Sequence, residues 1–195
     1  NQLQRAARLT SHALKHKRKH PPGLQAALLM LSAQLAEREG QLNEASHTLQ
    51  RALPYARGDI HHIARAKAAH LAYRLGHTRL VTKHWRALLQ ESPLGPWREE
   101  AQWALGWALY RSTKPHAARR LWLNMAHEEP FSPRAVQARY WAARAAADLG
   151  EHRQSAREWR ALLRDCPMNY YAYRAEQRLR GHPFAHAPAV APIHS

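Results

Sequence analysis

Three stretches, 76–93 (GHTRLVTKHWRALLQESP), 113–130 (TKPHAARRLWLNMAHEEP) and 150–167 (GEHRQSAREWRALLRDCP), superimpose when the chain is shifted by 37 residues. Each carries one tryptophan at the same place: Trp85, Trp122 and Trp159. Pro93, Pro130 and Pro167 close the three stretches, and Gly76, Thr113 and Gly150 open them. Leu88, Met125 and Leu162 follow the tryptophans at a constant distance. An earlier unit fits with a period of 36, which places Gly40, Ala45, Leu49 and Ala52 at matching positions. Self-similarity at a fixed period of this length marks stacked copies of one supersecondary unit.

Each unit reads as two antiparallel helices. In the third, Arg98 to Ser112 carries Ala101, Leu105, Ala108 and Leu109 at helical spacing, which predicts the first helix. A glycine or a Lys-Pro pair then breaks the chain, since glycine tolerates a left-handed turn and proline suits a helix start. The second helix places Ala118, Trp122 and Met125 on one face. Small residues recur at Ala33, Ala69, Gly106 and Ala143, where two helices can approach closely. From Gly106 the spacings to Ala118, Trp122, Met125 and Pro130 match the tetratricopeptide pattern of small, Ala, aromatic, apolar, Pro. One such hairpin cannot bury its apolar face alone, so its neighbours must supply the core. The expected fold is all-α, an α-solenoid of stacked antiparallel helix pairs forming a tetratricopeptide-like superhelix.

Outward from the repeats the chain changes character. Residues 1–23 read as a basic helix of an incomplete first repeat followed by the break Pro21-Pro22-Gly23. Repeats are expected over 24–59, 60–96, 97–133 and 134–169, with a final helix at 170–181. Residues 182–195 carry Pro183, Pro188 and Pro192 without apolar periodicity and read as a linker or tail. The first residue is Asn1 and no charged-then-apolar leader follows it, so the chain reads as a piece of something longer.

Composition narrows the chemistry. The 195 residues include 30 Lys and Arg against 14 Asp and Glu, a formal charge of +16 that favours polyanionic surroundings. Fifteen histidines would add charge in acid. The hydrophobic share of 45% supports a packed core and excludes wholesale disorder. The lone Cys166 excludes an internal disulfide and a multi-cysteine zinc site. No apolar run approaches the roughly 18 residues of a membrane-spanning helix.

No phosphate-binding glycine loop or nucleophile elbow appears. His12, His16 and His20 share a helix face at the spacing of helical metal ligands, but Lys15, Lys17, Arg18 and Lys19 surround them and oppose a cation, so no metal is expected. His61-His62 is adjacent and does not share a face. Cys166, before Pro167 at a helix end, reads as a small apolar residue. Glu99-Glu100 and Glu128-Glu129 point apart and cannot flank one glycosidic bond. No catalytic residue and no cofactor is expected. Under tetratricopeptide packing the first-helix positions facing an inner groove are His70, Tyr73 and Arg74, then Trp103, Trp107, Tyr110 and Arg111, then Tyr140 and Arg144. Such a groove could stack rings while arginine pairs with anions. The plainer reading is an aromatic stripe packed on the next repeat, with Trp103 and Tyr140 partly core.

The wording of the last repeats is more specific. Ala138-Arg139-Tyr140-Trp141-Ala142-Ala143-Arg144-Ala145 leads to Leu149-Gly150, then Trp159, Cys166-Pro167-Met168-Asn169-Tyr170-Tyr171, Ala175 and Arg178-Leu179. With Leu105-Gly106-Trp107-Ala108-Leu109-Tyr110-Arg111, this resembles the superhelical domain of the soluble lytic murein transglycosylases over residues 97–181. Ala172, where that family usually has glycine, and Gly181, displaced by Arg180, depart from its pattern. The resemblance implies a non-catalytic periplasmic scaffold, held near peptidoglycan or its own downstream catalytic domain, in a protein that cleaves the glycan to a 1,6-anhydro sugar. The family's catalytic Glu sits in a Glu-Ser motif followed by Gly-Leu-Met-Gln. Here Glu91-Ser92 mimics the first motif without the second, at an ordinary helix end, so Glu91 is read as a decoy. The alternative is a free-standing tetratricopeptide-like adaptor that takes a protein or peptide in its groove. Nucleic acid is not expected, because no recognised binding motif accompanies the charge.

Overall fold

In the computed structural model, the residues described are 2–15, 20–181 and 184. Their regular structure is entirely helical: α1 (Gln2–Lys15), α2 (Pro22–Arg38), α3 (Leu42–Ala52), α4 (Gly58–Arg74), α5 (Thr78–Glu91), α6 (Arg98–Arg111), α7 (Pro115–Glu128), α8 (Pro133–Asp148), α9 (His152–Asp165) and α10 (Tyr170–Arg180). The Pro-rich stretch expected to be a linker lies outside the described residues apart from Phe184, as does His16. The chain divides into two compact units, Asn1–Ala101 and Gln102–Ser195.

In the first unit α1 packs on α2, α2 pairs with α3, and α4 pairs with α5. The two helices of a pair differ in burial, and the sequence says why. α5 buries one face, Val81, His84, Trp85 and Leu88, and leaves Arg79, Lys83 and Arg86 in water. α4 buries Ala64, Ala66, Ala68, Ala69, Leu71 and Ala72, which point in several directions. A helix pressed between neighbours on more than one side needs small residues on more than one side, and alanine also has the highest helix propensity.

The second unit repeats the plan. α8 is the alanine-rich member, burying Ala135, Ala138, Ala142, Ala143, Ala145 and Ala146, while α9 is amphipathic around Ala156, Trp159 and Leu162. Ser132 and Asn169 cap α8 and α10 by accepting from Arg134 N (3.1 Å) and Tyr171 N (2.9 Å). The tryptophan column is buried, Trp85, Trp122 and Trp159 being 1%, 0% and 2% exposed, and Trp122 and Trp159 each sit in a core cluster of the second unit.

The turns inside the pairs repeat as closely. Gly40, Gly76 and Gly150 adopt φ of 79°, 73° and 78°, and Thr113 holds the same place at 56°. The following residue donates to the carbonyl five positions back each time: Gln41 to Ala36, His77 to Ala72, Lys114 to Leu109 and Glu151 to Ala146, at 2.8–3.0 Å. This is the Schellman closure, which satisfies carbonyls the helix end leaves free.

Candidate functional site

In the first unit α4 carries His70, Tyr73 and Arg74 on one face. Tyr73 is 59% exposed, comparable to Tyr170 and Tyr173 of α10 at 60% and 56%. His70 sets its ring edge-on to Trp85, with centroids 5.1 Å apart, and its Nε2 lies 3.4 Å from Glu100 Oε1. Arg74 donates to Glu37 of α2, linking neighbouring first helices. The phenol therefore stands in water on a helix face that also carries an imidazole packed on Trp85 and a guanidinium paired with Glu37.

The second unit treats its aromatics differently. Trp107 packs on Trp141 of α8 at 4.4 Å between centroids, on Trp122 at 5.7 Å and on Tyr110 at 5.8 Å. Trp103 lies 5.8 Å from Trp122, and the Arg134 guanidinium sits 5.9 Å from its ring centre. Trp103, Trp107 and Tyr110 are thus half-buried members of one aromatic cluster. Tyr140 is 1% exposed and packs with Ala143, Trp159 and Tyr171. Its place among the groove contacts is corrected: α8 turns this position toward α9 and α10, so the ring fills core and offers no surface to a ligand. Arg111 is exposed at the end of α6. Arg144 Nε lies 3.2 Å from Asp148, which also accepts from the Tyr110 hydroxyl. Burial foremost, and then Asp148, pushes the Tyr110 phenol up to about 12, so it remains a hydrogen-bond donor at neutral pH.

A polar bridge recurs between the helices of successive pairs at the repeat period. Arg65 donates to Glu91 (2.7 Å), Gln102 to Glu128 (2.8 Å) and Arg139 to Asp165 (2.6 Å). His61 Nε2 also approaches Glu91, at 3.4 Å. The carboxylate of the Glu91-Ser92 motif is therefore one member of a repeated interhelical tie, the role its position in the repeat implies. Among the described residues no group of His, Cys, Asp and Glu is placed to hold a metal ion. His20 Nε2 instead lies 3.0 Å from the carbonyl of Ala13, and Cys166 is half-buried at the end of α9.

Two features were not anticipated. His84 is 2% exposed and its Nδ1 has no hydrogen-bond partner among the described residues. Burial foremost, then the positive charges of Arg65 and Lys83, lowers its pKa to about 4. Leu94, Phe131 and Met168 are 84%, 99% and 98% exposed and follow the three column prolines directly. The signal for these was present, since the residue after each proline is a large apolar one at the same period.

No family model and no curated protein matches the chain. Solved structures do. The chain is similar to YrrB, described as a TPR protein with an unusual peptide-binding site, at 15% identity and TM-score 0.68 over 91% of this chain and 84% of that one. It is similar to a tetratricopeptide repeat protein from Parabacteroides merdae at 21% identity and TM-score 0.68, covering 89% of this chain and 64% of the other. A third likeness is to BtubC from P. vanneervenii, at 14% identity and TM-score 0.60, over 92% and 81%. These identities carry the fold and nothing finer: the chain is an α-solenoid of tetratricopeptide-like helix pairs. No helix of the described residues is long and apolar enough to cross a membrane.

Proposed function

We propose that the chain is a binding scaffold that takes a segment of another protein on the first-helix face of α4. The observation that carries this reading is the exposed Tyr73 flanked by His70 and Arg74. A phenol in water with a guanidinium one residue away offers a stacking surface beside N–H donors that remain on Arg74 once one is given to Glu37. The likeness to YrrB, itself described as having a peptide-binding site, is consistent with that use of the fold. Selection from a random-peptide display library tests it. Enriched sequences should lose binding to Tyr73→Ala and to Arg74→Glu while both variants keep their helical circular dichroism. Peptides that bind both variants as well as the parent would refute the assignment to α4.

A second reading rests on the wording of residues 97–181, which resembles the superhelical domain of lytic murein transglycosylases. In it the chain works in the periplasm as the non-catalytic scaffold of an enzyme acting on peptidoglycan, and the +16 charge suits an anionic wall polymer. Cosedimentation with purified sacculi, against an unrelated protein of equal charge, separates specific retention from charge attraction. Retention no greater than the control's removes the positioning role.

A further inference from the structure

The polar tie between paired helices is missing from the first repeat, and a cavity stands in its place. With the period of 36 that applies there, the counterparts of Arg65 and Glu91 are Leu29 and Tyr55. Neither can form the bridge, and the space beside them is an open cavity of about 230 Å³. Leu14 of α1, Leu29 of α2, Pro54 and Tyr55 form its walls, and Gln25 and Arg51 bring the polar groups. Gln25 is 8% exposed and lines the cavity with its side chain. Arg51 is exposed, with no carboxylate partner among the described residues. The arginines of the interhelical ties in later pairs are committed, Arg65 to Glu91 and Arg139 to Asp165.

We propose that this cavity binds the carboxylate of a group bearing one medium-sized aliphatic side chain. The volume decides the size. Pockets that enclose drug-sized molecules run from roughly 300 Å³ upward, so this one holds about a single residue. The walls decide the body of the ligand, since apolar contacts reward an aliphatic chain. Arg51 and Gln25 decide its head: a guanidinium and an amide N–H₂ both donate, and a carboxylate accepts from two donors in one plane. Two sources share this chemistry, a free aliphatic acid and the C-terminal residue of a peptide. The site is independent of the α4 face, so either assignment can fail alone.

The test is a titration of the ¹⁵N-labelled full chain, followed by amide shifts. The probes are N-acetyl-L-leucine, N-acetyl-L-leucinamide, and a pentapeptide ending in leucine as free acid and as amide. At least one free acid should saturate shifts around Gln25, Leu29, Arg51 and Tyr55, and Arg51→Ala should weaken it about tenfold. Arg51 is exposed, so the variant keeps the fold. Saturation by the pentapeptide acid points to a chain terminus, and saturation by N-acetyl-L-leucine alone points to a small acid. Equal binding of the amides, an unchanged affinity in Arg51→Ala, or no saturable shift by either acid would overturn the proposal.

Discussion

Gly106 packs directly against the indole of Trp122: a Cβ built on the glycine would stand 2.1 Å from Trp122 Nε1 and 2.5 Å from Cε2. Trp122 is fully buried and touches Trp103, Trp107, Tyr110 and Trp141, so it has nowhere to retreat. Gly106→Ala therefore sets two effects against each other. Helix propensity favours alanine by about 1 kcal/mol, while overpacking a closed aromatic core costs about 3 kcal/mol. The net expectation is a loss of about 2 kcal/mol, read as a lower urea midpoint at unchanged slope. An unaltered midpoint would mean that the indole can shift.

The interhelical ties predict a smaller, pH-dependent effect. Asp165 accepts from Arg139, and that bond, more than Arg164 beside it, holds its carboxyl below the ordinary range. A carboxyl depressed in the folded state contributes stability at neutral pH, and the contribution is lost as pH falls through its titration. The pair is about a third exposed, so a double-mutant cycle with Arg139→Ala and Asp165→Asn should give about 0.5 kcal/mol at pH 7. The coupling should vanish once the carboxyl is protonated. Coupling that persists at pH 2 would assign the interaction to packing instead.

Those ties show what a single sequence conceals. Trp85, Trp122 and Trp159 keep their identity at the repeat period, so the core column is legible at once. The partners in the ties change, Arg65 to Gln102 to Arg139 and Glu91 to Glu128 to Asp165, and only pairing in space reveals them as one feature. Tyr140 shows a second limit. Projecting one exposed face per helix placed it with Arg144, whereas α8 is pressed from more than one side and takes Tyr140 into the core. Tyr73 escapes that fate on α4 and remains the most exposed of the aromatics expected to meet a ligand.

Thr113 offers a stabilising change. Its φ of 56° belongs to the left-handed region, which costs a β-branched residue about 1–2 kcal/mol and costs glycine nothing comparable. The equivalent turns at Gly40, Gly76 and Gly150 carry glycine. The Thr113 hydroxyl donates only to the neighbouring Ser112 carbonyl, at 2.7 Å on the surface, so little is lost with it. Thr113→Gly should raise stability by about 1 kcal/mol in thermal or urea unfolding. A decrease would mean that the extra freedom glycine gives the unfolded chain outweighs the relief of strain.

His84 predicts the acid side of the stability profile. The imidazole is buried on α5 and titrates at about 4, against 6.5 in a free chain, first because burial disfavours the charged ring and then because Arg65 and Lys83 oppose it. Between those values the unfolded chain holds a proton that the folded chain refuses, so stability falls as pH drops. The loss begins near pH 6.5 and stops growing below about 4, and a shift of this size corresponds to about 3 kcal/mol. Replacing the ring by His84→Leu removes both the titration and the unpartnered Nδ1 while retaining an apolar body. The wild-type minus variant difference in unfolding free energy, measured at intervals from pH 7.5 to pH 4, should slope in that window and flatten above it. A difference that stays constant with pH would show that His84 takes up its proton as readily in the folded protein as in the unfolded chain.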